Sequence, residues 1–150
     1  MTEQQSGSVP SLISFLVCDQ VIDDKLSNKK SAIGIFNTIL VPNLPAMIHR
    51  MAILASLTEI SGRVELELRL VRDSDNTVVF SGKGSVDAPD PLATVDLLFA
   101  MQGIQIPEGG QYAFELLGRG EILGRRRFQV RVRPPTPGAA GGPPGPAQLS

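Results

Sequence analysis

The segment 106–132 constrains the fold of this chain more than any other part of the sequence. Two runs of alternating apolar and polar residues, Gln111–Leu117 and Glu121–Val132, flank the turn Gly118-Arg119-Gly120. Successive side chains of a β-strand point to opposite faces, so alternation on both sides of a glycine-rich turn predicts a β-hairpin. The hairpin predicts an all-β domain, and it indicates no particular chemistry.

The rest of the chain repeats this pattern of short apolar segments separated by clusters of Gly, Pro, Asn, Asp and Ser. No segment shows a sustained helical period. Such a pattern predicts a single antiparallel β-sandwich of about eight strands, either immunoglobulin-like or jelly-roll-like. The predicted strands are Leu12–Val21, Ser31–Leu40, His49–Thr58, Arg63–Arg72, Val78–Ser85, Thr94–Gln105, Gln111–Leu117 and Ile122–Val132.

The two ends of the chain differ in composition from the segment between them. Residues 1–9 are mostly polar and are predicted to be frayed. Residues 134–150 are rich in Pro and Gly and carry no charge, a composition that favours a disordered tail. The sandwich domain is therefore predicted over residues 10–133, which is an ordinary length for one domain.

The compartment is predicted from cysteine usage and from apolar run lengths. Cys18 is the only cysteine, which excludes an intramolecular disulfide and suits a reducing compartment. No apolar run approaches the roughly 20 residues that a membrane-spanning helix needs. No Lys or Arg precedes Lys25, so a secretory signal is not expected. We expect a cytoplasmic protein without a membrane span.

Histidine and cysteine supply no recognisable catalytic or metal-binding set. His49 is the only histidine, and it has the parity of Met51 and Ile53 in a predicted strand, which favours a structural role. Cys18 lies in an apolar strand with no adjacent cation that would activate the thiol. We therefore predict no catalytic residue, no cofactor and no metal ligand.

Carboxylates supply two alternatives to that interpretation. Loop aspartates at one end of a sandwich could bind calcium, which prefers six to eight oxygen ligands, in a lipid- or glycan-binding domain. Loops alternate between the two ends, so at most four of these carboxylates could converge, and turn formation is favoured. An enzyme would also have to depend on carboxylates. The loop pairs are Asp23/Asp24, Asp73/Asp75 and Asp87/Asp90, and the catalytic candidates are Asp19, Asp23 and Asp96.

Basic residues are concentrated near the end of the predicted sandwich. Residues 119–133 contain six arginines and one glutamate. Arg127, Arg131 and Arg133 alternate with apolar residues, so they are predicted to form a stripe on one outer face that could contact a partner. Ion pairing with an outward face of Glu65, Glu67 and Glu115 is the favoured alternative. We expect no nucleic-acid binding, because the pI of about 5.8 is low and the nearby aromatic residues have core parity.

Two predicted strands, Leu12–Val21 and Ser31–Leu40, are apolar on both faces. Such strands are covered on both sides within a domain or form a contact between subunits. If nothing in the domain covers them, an isologous dimer is predicted in which either Ile35 or Phe36 faces outward. The function that we predict is therefore a non-catalytic protein-interaction or assembly module, with a protein partner or self-association.

Three groups of residues resemble a bacterial family of small domains of unknown function. They are FLVCDQ (15–20) with KKSAIGIF (29–36), PEGGQYAF (107–114), and EILGRRRFQV (121–130). The resemblance spans about residues 11–132. It implies a β-sandwich, and it implies no catalytic residues.

Overall fold

The computed structural model describes residues 8–134, which form nine β-strands. The strands are β1 (Ser11–Asp24), β2 (Lys29–Ile35), β3 (Thr38–Val41), β4 (Ala46–Thr58), β5 (Val64–Arg72), β6 (Thr77–Val86), β7 (Val95–Ile106), β8 (Gly110–Gly118) and β9 (Glu121–Val132). The frayed segment predicted up to residue 9 lies mostly outside the described residues, and so does the predicted tail from residue 135 onward.

The strands form two sheets. The four-stranded sheet has the order β2-β1-β4-β7, and the five-stranded sheet has the order β3-β9-β8-β5-β6. Neighbouring strands are antiparallel except β3 and β9, which are parallel. The core lies between the two sheets and includes Val17, Ile53, Leu70 and Phe114, each fully buried. The all-β prediction is confirmed, and the parallel pair is an exception to the predicted antiparallel arrangement.

The hairpin predicted from the sequence is β8–β9. Gly118 pairs with Glu121, which leaves a two-residue loop. Arg119 and Gly120 both have positive φ, 51° and 82°. Positive φ at both central residues is the requirement of a type I′ turn, whose twist matches that of the flanking strands.

Aromatic side chains fill the core beneath this hairpin. The ring of Phe128 stacks between Tyr112 and Phe114, with centroid distances of 6.0 and 5.6 Å, and meets the edge of Phe36 at 5.7 Å. The Tyr112 hydroxyl donates a hydrogen bond to the Glu108 carbonyl at 2.6 Å. The hydrogen bond satisfies the polar end of a ring whose body is buried.

The predicted strand Ser31–Leu40 is wrong as a single strand, and this raises the strand count from eight to nine. The chain leaves the four-stranded sheet after Ile35 and enters the five-stranded sheet at Thr38. Phe36 N–H donates to the Val17 carbonyl, and the Asn37 carbonyl accepts from Gln129 N–H. Backbone hydrogen bonding thus passes from one sheet to the other at residues 36 and 37, where no Gly or Pro interrupts the apolar pattern.

The parity of His49 predicted that it shares a face with Met51 and Ile53, and this prediction is wrong. The residue is exposed, whereas Met51 and Ile53 are fully buried. Ile48 pairs with Ile104 and Arg50 with Gln102, so His49 lies across from Gly103, whose φ is 65°. On the Ala46 side of this glycine, Ile104 is buried and Ile48 packs against the core. The residues that face the core therefore change from odd to even numbers in β4 at this point, and we attribute the change to the left-handed backbone of Gly103.

Loop aspartates accept hydrogen bonds within their own turns. Asp24 Oδ1 accepts from Leu26 N–H, Asp90 Oδ1 from Leu92 N–H, and Asp75 Oδ1 from Thr77 N–H, at 2.9, 2.6 and 3.0 Å. These are the local bonds that make aspartate a common turn residue.

Asp75 gives a testable pH dependence. Its hydrogen bonds from Arg72 and from Thr77 N–H lower the pKa of the carboxyl from 3.8 to about 2. Since the folded state holds the ionised form, the stabilisation is complete above the unfolded pKa of 3.8 and is lost as the pH falls toward about 2. We expect the Asp75 carboxyl carbon to titrate near pH 2 in NMR spectra. A midpoint near 3.8 would contradict the ion pair with Arg72.

Candidate interaction surfaces

The arginines predicted to form a stripe lie along β9 but do not form one cluster. Arg127 Nε is 3.9 Å from Asp73 Oδ2. Arg131 and Arg133 are exposed beside β3, where Arg131 pairs in register with Leu40 and the N–H of Arg133 donates to the Val41 carbonyl. Six residue steps along a strand separate Arg127 from Arg133 by about 20 Å. The structure therefore divides the stripe into two parts.

The predicted ion pairs of this stripe with three glutamates are wrong in their partners. Glu115 pairs with Arg125, at 2.5 Å, while Glu67 pairs with Arg69 of its own strand and Glu65 pairs with Arg63, which immediately precedes that strand. The strand order explains the difference, because β8 lies between β5 and β9. Glutamates of β5 are thus two strands away from the arginines of β9, and only Glu115 of β8 is an immediate neighbour.

A cluster of consecutive arginines, which we call the arginine notch, forms a different site. The notch consists of Asn37, Arg125, Arg126 and Arg127 around a cavity of about 450 Å³. Arg125 and Arg127 have carboxylate neighbours, Glu115 and Asp73. Arg126 has none among residues 8–134, and its Nη2 donates only to the neutral Asn37 Oδ1, at 3.3 Å.

The sequence pattern does not single out Arg126, because the predicted stripe contains only arginines of the outer face. Its partner in register is the buried Phe114, so Arg126 is directed to the core side of the sheet, toward the opening between the two sheets. Its Nε is buried and has no hydrogen-bond partner among the described residues. The signal in the sequence was an arginine at the same parity as Gly124 and Phe128.

The backbone beside the arginine notch belongs to a sheet edge with which no strand among residues 8–134 pairs. β3 pairs with β9 only from Gln129 to Val132. Gln129 N–H points toward β3, where it donates to the Asn37 carbonyl. Alternate residues of a strand direct their backbone groups to the same side, so those of Arg127 and Arg125 point to the same edge, where β3 does not extend.

A second candidate surface is the outer face of the four-stranded sheet, here called the apolar face. Two rows of side chains cross its centre. The first row is Ile35, Cys18, Ala52 and Ala100, and the second is Leu16, Leu54 and Leu98. Ile35 is 52% exposed, Ile33 44% and Leu98 38%. No described strand or loop covers these three side chains.

Polar residues border the apolar face at both ends of the strands. Arg50 and Gln102 are paired at one end, and Ser56 and Asp96 at the other. Ser56 Oγ donates to Asp96 Oδ1 at 2.6 Å. No salt bridge to Arg50 exists among residues 8–134. The apolar face thus has a basic border and an acidic border on opposite sides.

The residues considered for catalysis or metal binding do not converge. Asp23 pairs with Lys25 and Lys30 at the end of β1, whereas Asp96 accepts from Ser56 on β7. Within the described part of the chain, no three His, Cys, Asp or Glu side chains could hold one metal ion. Cys18 is fully buried, and burial raises the pKa of its thiol, which disfavours the reactive thiolate.

Several solved structures are similar in fold to this chain. The alkylpurine DNA glycosylase AlkC of Pseudomonas fluorescens, bound to DNA containing an abasic site analog, is similar with a TM-score of 0.51 at 12% identity. The match covers 84% of this chain and 31% of that one. The chain thus spans about a third of the length of that protein, and the likeness concerns the fold alone.

Sequence comparison identifies a family and no curated relative. No curated protein matches the chain. The model of one protein family matches residues 13–131, and the family is described as one of unknown function. Residues 8–134 contain no helix that is long and apolar enough to cross a membrane.

Proposed function

Because this chain belongs to DUF6941, a family of unknown function, we propose from its own surfaces that it is a non-catalytic assembly module. Membership confirms the resemblance to a family of unknown function noted in the sequence. The observation that carries the proposal is the apolar face. Seven apolar residues in two rows cross three or four strands of the sheet. Cys18 and Ala52 at its centre are buried, whereas three larger side chains, Ile33, Ile35 and Leu98, are exposed. Contiguous apolar patches of this kind mark interaction sites on soluble proteins.

The size of the sheet suits a dimer contact. In sheet order, the four strands contain 7, 14, 13 and 12 residues. At about 3.4 Å per residue and about 4.8 Å between strands they give a planar area of about 750 Å², close to the roughly 800 Å² that each partner contributes to a standard interface. A second copy of the same face therefore offers enough area for a stable contact.

The borders of the apolar face favour a second copy as the occupant. A two-fold axis that runs across the strands, between the two apolar rows, places each apolar row against the other. The same rotation brings Arg50 of one copy to the border that holds Asp96 in the other, and it does so twice. An isologous interface is self-complementary by construction, and opposite charges at its rim fix the register.

The proposed dimer predicts a mass near twice 16.0 kDa in light scattering, and a monomer after Ile35→Lys. Lysine would place a charge in the centre of the apolar contact, where no opposite charge or hydrogen bond compensates for the loss of its hydration. The sequence left open whether Ile35 or Phe36 faces outward, and the structure assigns Ile35 to the outer face. Phe36→Lys should instead destabilise the fold, since Phe36 contacts Phe128 in the core.

A matched control is Ile122→Lys, on the other sheet. Ile122 has the same exposed fraction as Ile35, 52%, so it tests for any effect of an added lysine. Ile122→Lys should remain dimeric. A wild-type mass near 16.0 kDa, or equal loss of dimer in both variants, would overturn the proposal.

Two other functions have weaker support. A calcium-dependent lipid- or glycan-binding domain would depend on loop carboxylates, and Asp24, Asp75 and Asp90 are each engaged by backbone N–H groups of their own turn. An enzyme would depend on Asp19, Asp23 and Asp96, of which Asp23 and Asp96 have separate partners. A thermal melt with and without calcium separates the first alternative, because a ligand that binds the folded state raises the melting temperature.

We also assign the sandwich to the immunoglobulin-like class. The order β9-β8-β5-β6 matches the G-F-C-C′ order of that fold, with β4 and β7 as its adjacent B and E strands. Tyr112 near the start of β8 bonds back to the Glu108 carbonyl, as a tyrosine corner does at the start of strand F. These two features support this class over the jelly roll.

A further inference from the structure

We propose that the arginine notch binds an extended acidic segment of a partner protein, which adds to the free edge of β9 as an extra strand. The proposal concerns a different surface from the apolar face. It commits to a partner segment that presents a carboxylate to Arg126, and it rests on charge, on backbone geometry and on the cavity at Arg125, Arg126 and Arg127.

Charge complementarity identifies the chemistry of the partner. Three guanidinium groups line the cavity, and the two described carboxylates beside them, Glu115 and Asp73, are neighbours of Arg125 and Arg127. Arg126 carries a full positive charge, and an amide oxygen is its described hydrogen-bond acceptor. Its buried Nε is a donor without an acceptor. The exposed guanidinium nitrogens of Arg126 remain available, so an incoming carboxylate can form a charge-assisted hydrogen bond there.

The backbone identifies the form of the partner. Arg125 and Arg127 each present one N–H and one C=O to the sheet edge beyond the end of β3. An extended peptide satisfies both kinds of group, which is the basis of strand addition. A phosphate or a nucleic-acid backbone could use the N–H groups, but it would be repelled by the carbonyl oxygens. The edge therefore favours a peptide.

The spacing identifies the sequence of the partner. Side chains of successive residues on a strand alternate between faces, so Arg125 and Arg127 lie on the outer face and Arg126 on the core side. A strand paired in register would present its own successive side chains to the same alternating faces. Arg125 and Arg127 already have the carboxylates of Glu115 and Asp73 beside them, so the complement is an extended segment with one acidic residue that meets Arg126, flanked by uncharged polar residues.

The cavity is large enough for such a segment. Its volume of about 450 Å³ lies within the range of roughly 300–1,000 Å³ typical of ligand sites. Arginines on an exposed edge also discourage uncontrolled pairing with other strands. The same arginines would admit an acidic strand, so selectivity arises from repulsion of basic and apolar strands and attraction of acidic ones.

The test is titration of the full chain with a fluorescein-labelled peptide, Thr-Val-Thr-Thr-Glu-Thr-Thr-Val-Thr, followed by fluorescence anisotropy. We expect saturable binding that weakens as salt is added. Arg126→Gln should weaken it about tenfold or more, because one charge-assisted hydrogen bond is lost. Arg63→Gln is the matched control, since Arg63 is an exposed arginine that precedes β5 and lies outside the notch, and it should leave the affinity unchanged.

Two further probes separate strand addition from simple anion binding. The same peptide with alternate backbone amides N-methylated keeps every charge but cannot pair with the edge, so we expect it not to bind. Inorganic phosphate and an oligothymidylate should compete weakly. Equal binding of the methylated peptide, tighter binding of the oligonucleotide, or no effect of Arg126→Gln on the peptide would each overturn the proposal.

The outcome is independent of the proposed dimer. Ile35→Lys alters the apolar face and leaves the arginine notch intact, so this variant should bind the peptide with wild-type affinity. If the wild type is monomeric and still binds the peptide, the assembly proposal fails and the strand-addition proposal stands. The reverse result is equally distinguishable.

Discussion

Replacement of Phe128 with alanine should lower the free energy of unfolding by about 3–5 kcal/mol, the range typical of a buried phenylalanine. The ring is 1% exposed and contacts three other aromatic rings, two from β8 and one, Phe36, from the segment between β2 and β3. Its removal deletes buried apolar area and leaves a cavity that the stiff strands on either side cannot close. Aromatic pair energies of about 0.5–1.5 kcal/mol each are lost as well.

Guanidinium chloride unfolding at one fixed protein concentration measures this loss. Val132→Ala is the control on the same strand, because its side chain is 48% exposed and its truncation should change stability by about 0.5 kcal/mol or less. Phe128→Leu should fall between the two, since it retains most of the buried volume. A loss below about 1.5 kcal/mol for Phe128→Ala would show that the aromatic cluster is not central to the core.

The second large effect is expected at Glu115, the only buried charged residue among those described. In register it lies between Arg69 on β5 and Arg125 on β9, and it pairs with Arg125 at 2.5 Å. Removal of one partner of a buried ion pair costs about 3–5 kcal/mol. The Arg125 side chain is 38% exposed and can be rehydrated, so we expect about 2–3 kcal/mol for Glu115→Ala.

Glu65→Ala provides the comparison for Glu115→Ala. Glu65 also pairs with an arginine in the five-stranded sheet, but both side chains are about 70% exposed, and such pairs contribute about 0–1 kcal/mol. Glu115→Gln keeps the side-chain shape and one hydrogen bond, so its loss should be intermediate. If Glu65→Ala and Glu115→Ala cost the same, burial of the Glu115 pair has no energetic importance.

The hairpin β8–β9 was predictable because its signals are local. Alternation fixes which side chains share a face, and Gly118-Arg119-Gly120 fixes where the chain reverses. The structure confirms both, with Tyr112 paired to Phe128 across the strands. Even here one feature was not predicted. A register shift between Leu116 and Leu117 omits Leu123 from the pairing, next to Gly124, and an isolated glycine inside a strand pattern can indicate such a bulge.

The change of sheet at Phe36 and Asn37 was not predictable from the local pattern. A strand that moves from one sheet to another still presents an apolar side to the same core, so the alternation continues through the switch. The strand partners reveal the change, and they lie far away in sequence, at Val17 and Gln129. His49 was misassigned for a related reason, since Gly103 of the neighbouring strand sets its facing.

The candidate surfaces divide in the same way. The apolar outer side of β1 and β2 was visible in the sequence, because both predicted strands were apolar on both faces. Which residues lie outside depended on the sheet switch, and this assigns Ile35 to the surface and Phe36 to the core. The arginine notch required knowledge that β3 ends its pairing at Gln129, and no sequence pattern gives the length of an edge strand.

The parallel pairing of β3 with β9 has a consequence for folding kinetics. β9 is the only hydrogen-bonded neighbour of β3 among residues 8–134, and about ninety residues separate the two strands along the chain, since Thr38 pairs with Gln129. A nascent chain that ends before β9 has no partner for β3, and it lacks Phe128 and Val130 from its core. The entropy of closing so long a loop is lost before the stabilising contacts between β3 and β9 form, and this slows folding. The sandwich can therefore complete its core only after the last strand has left the ribosome.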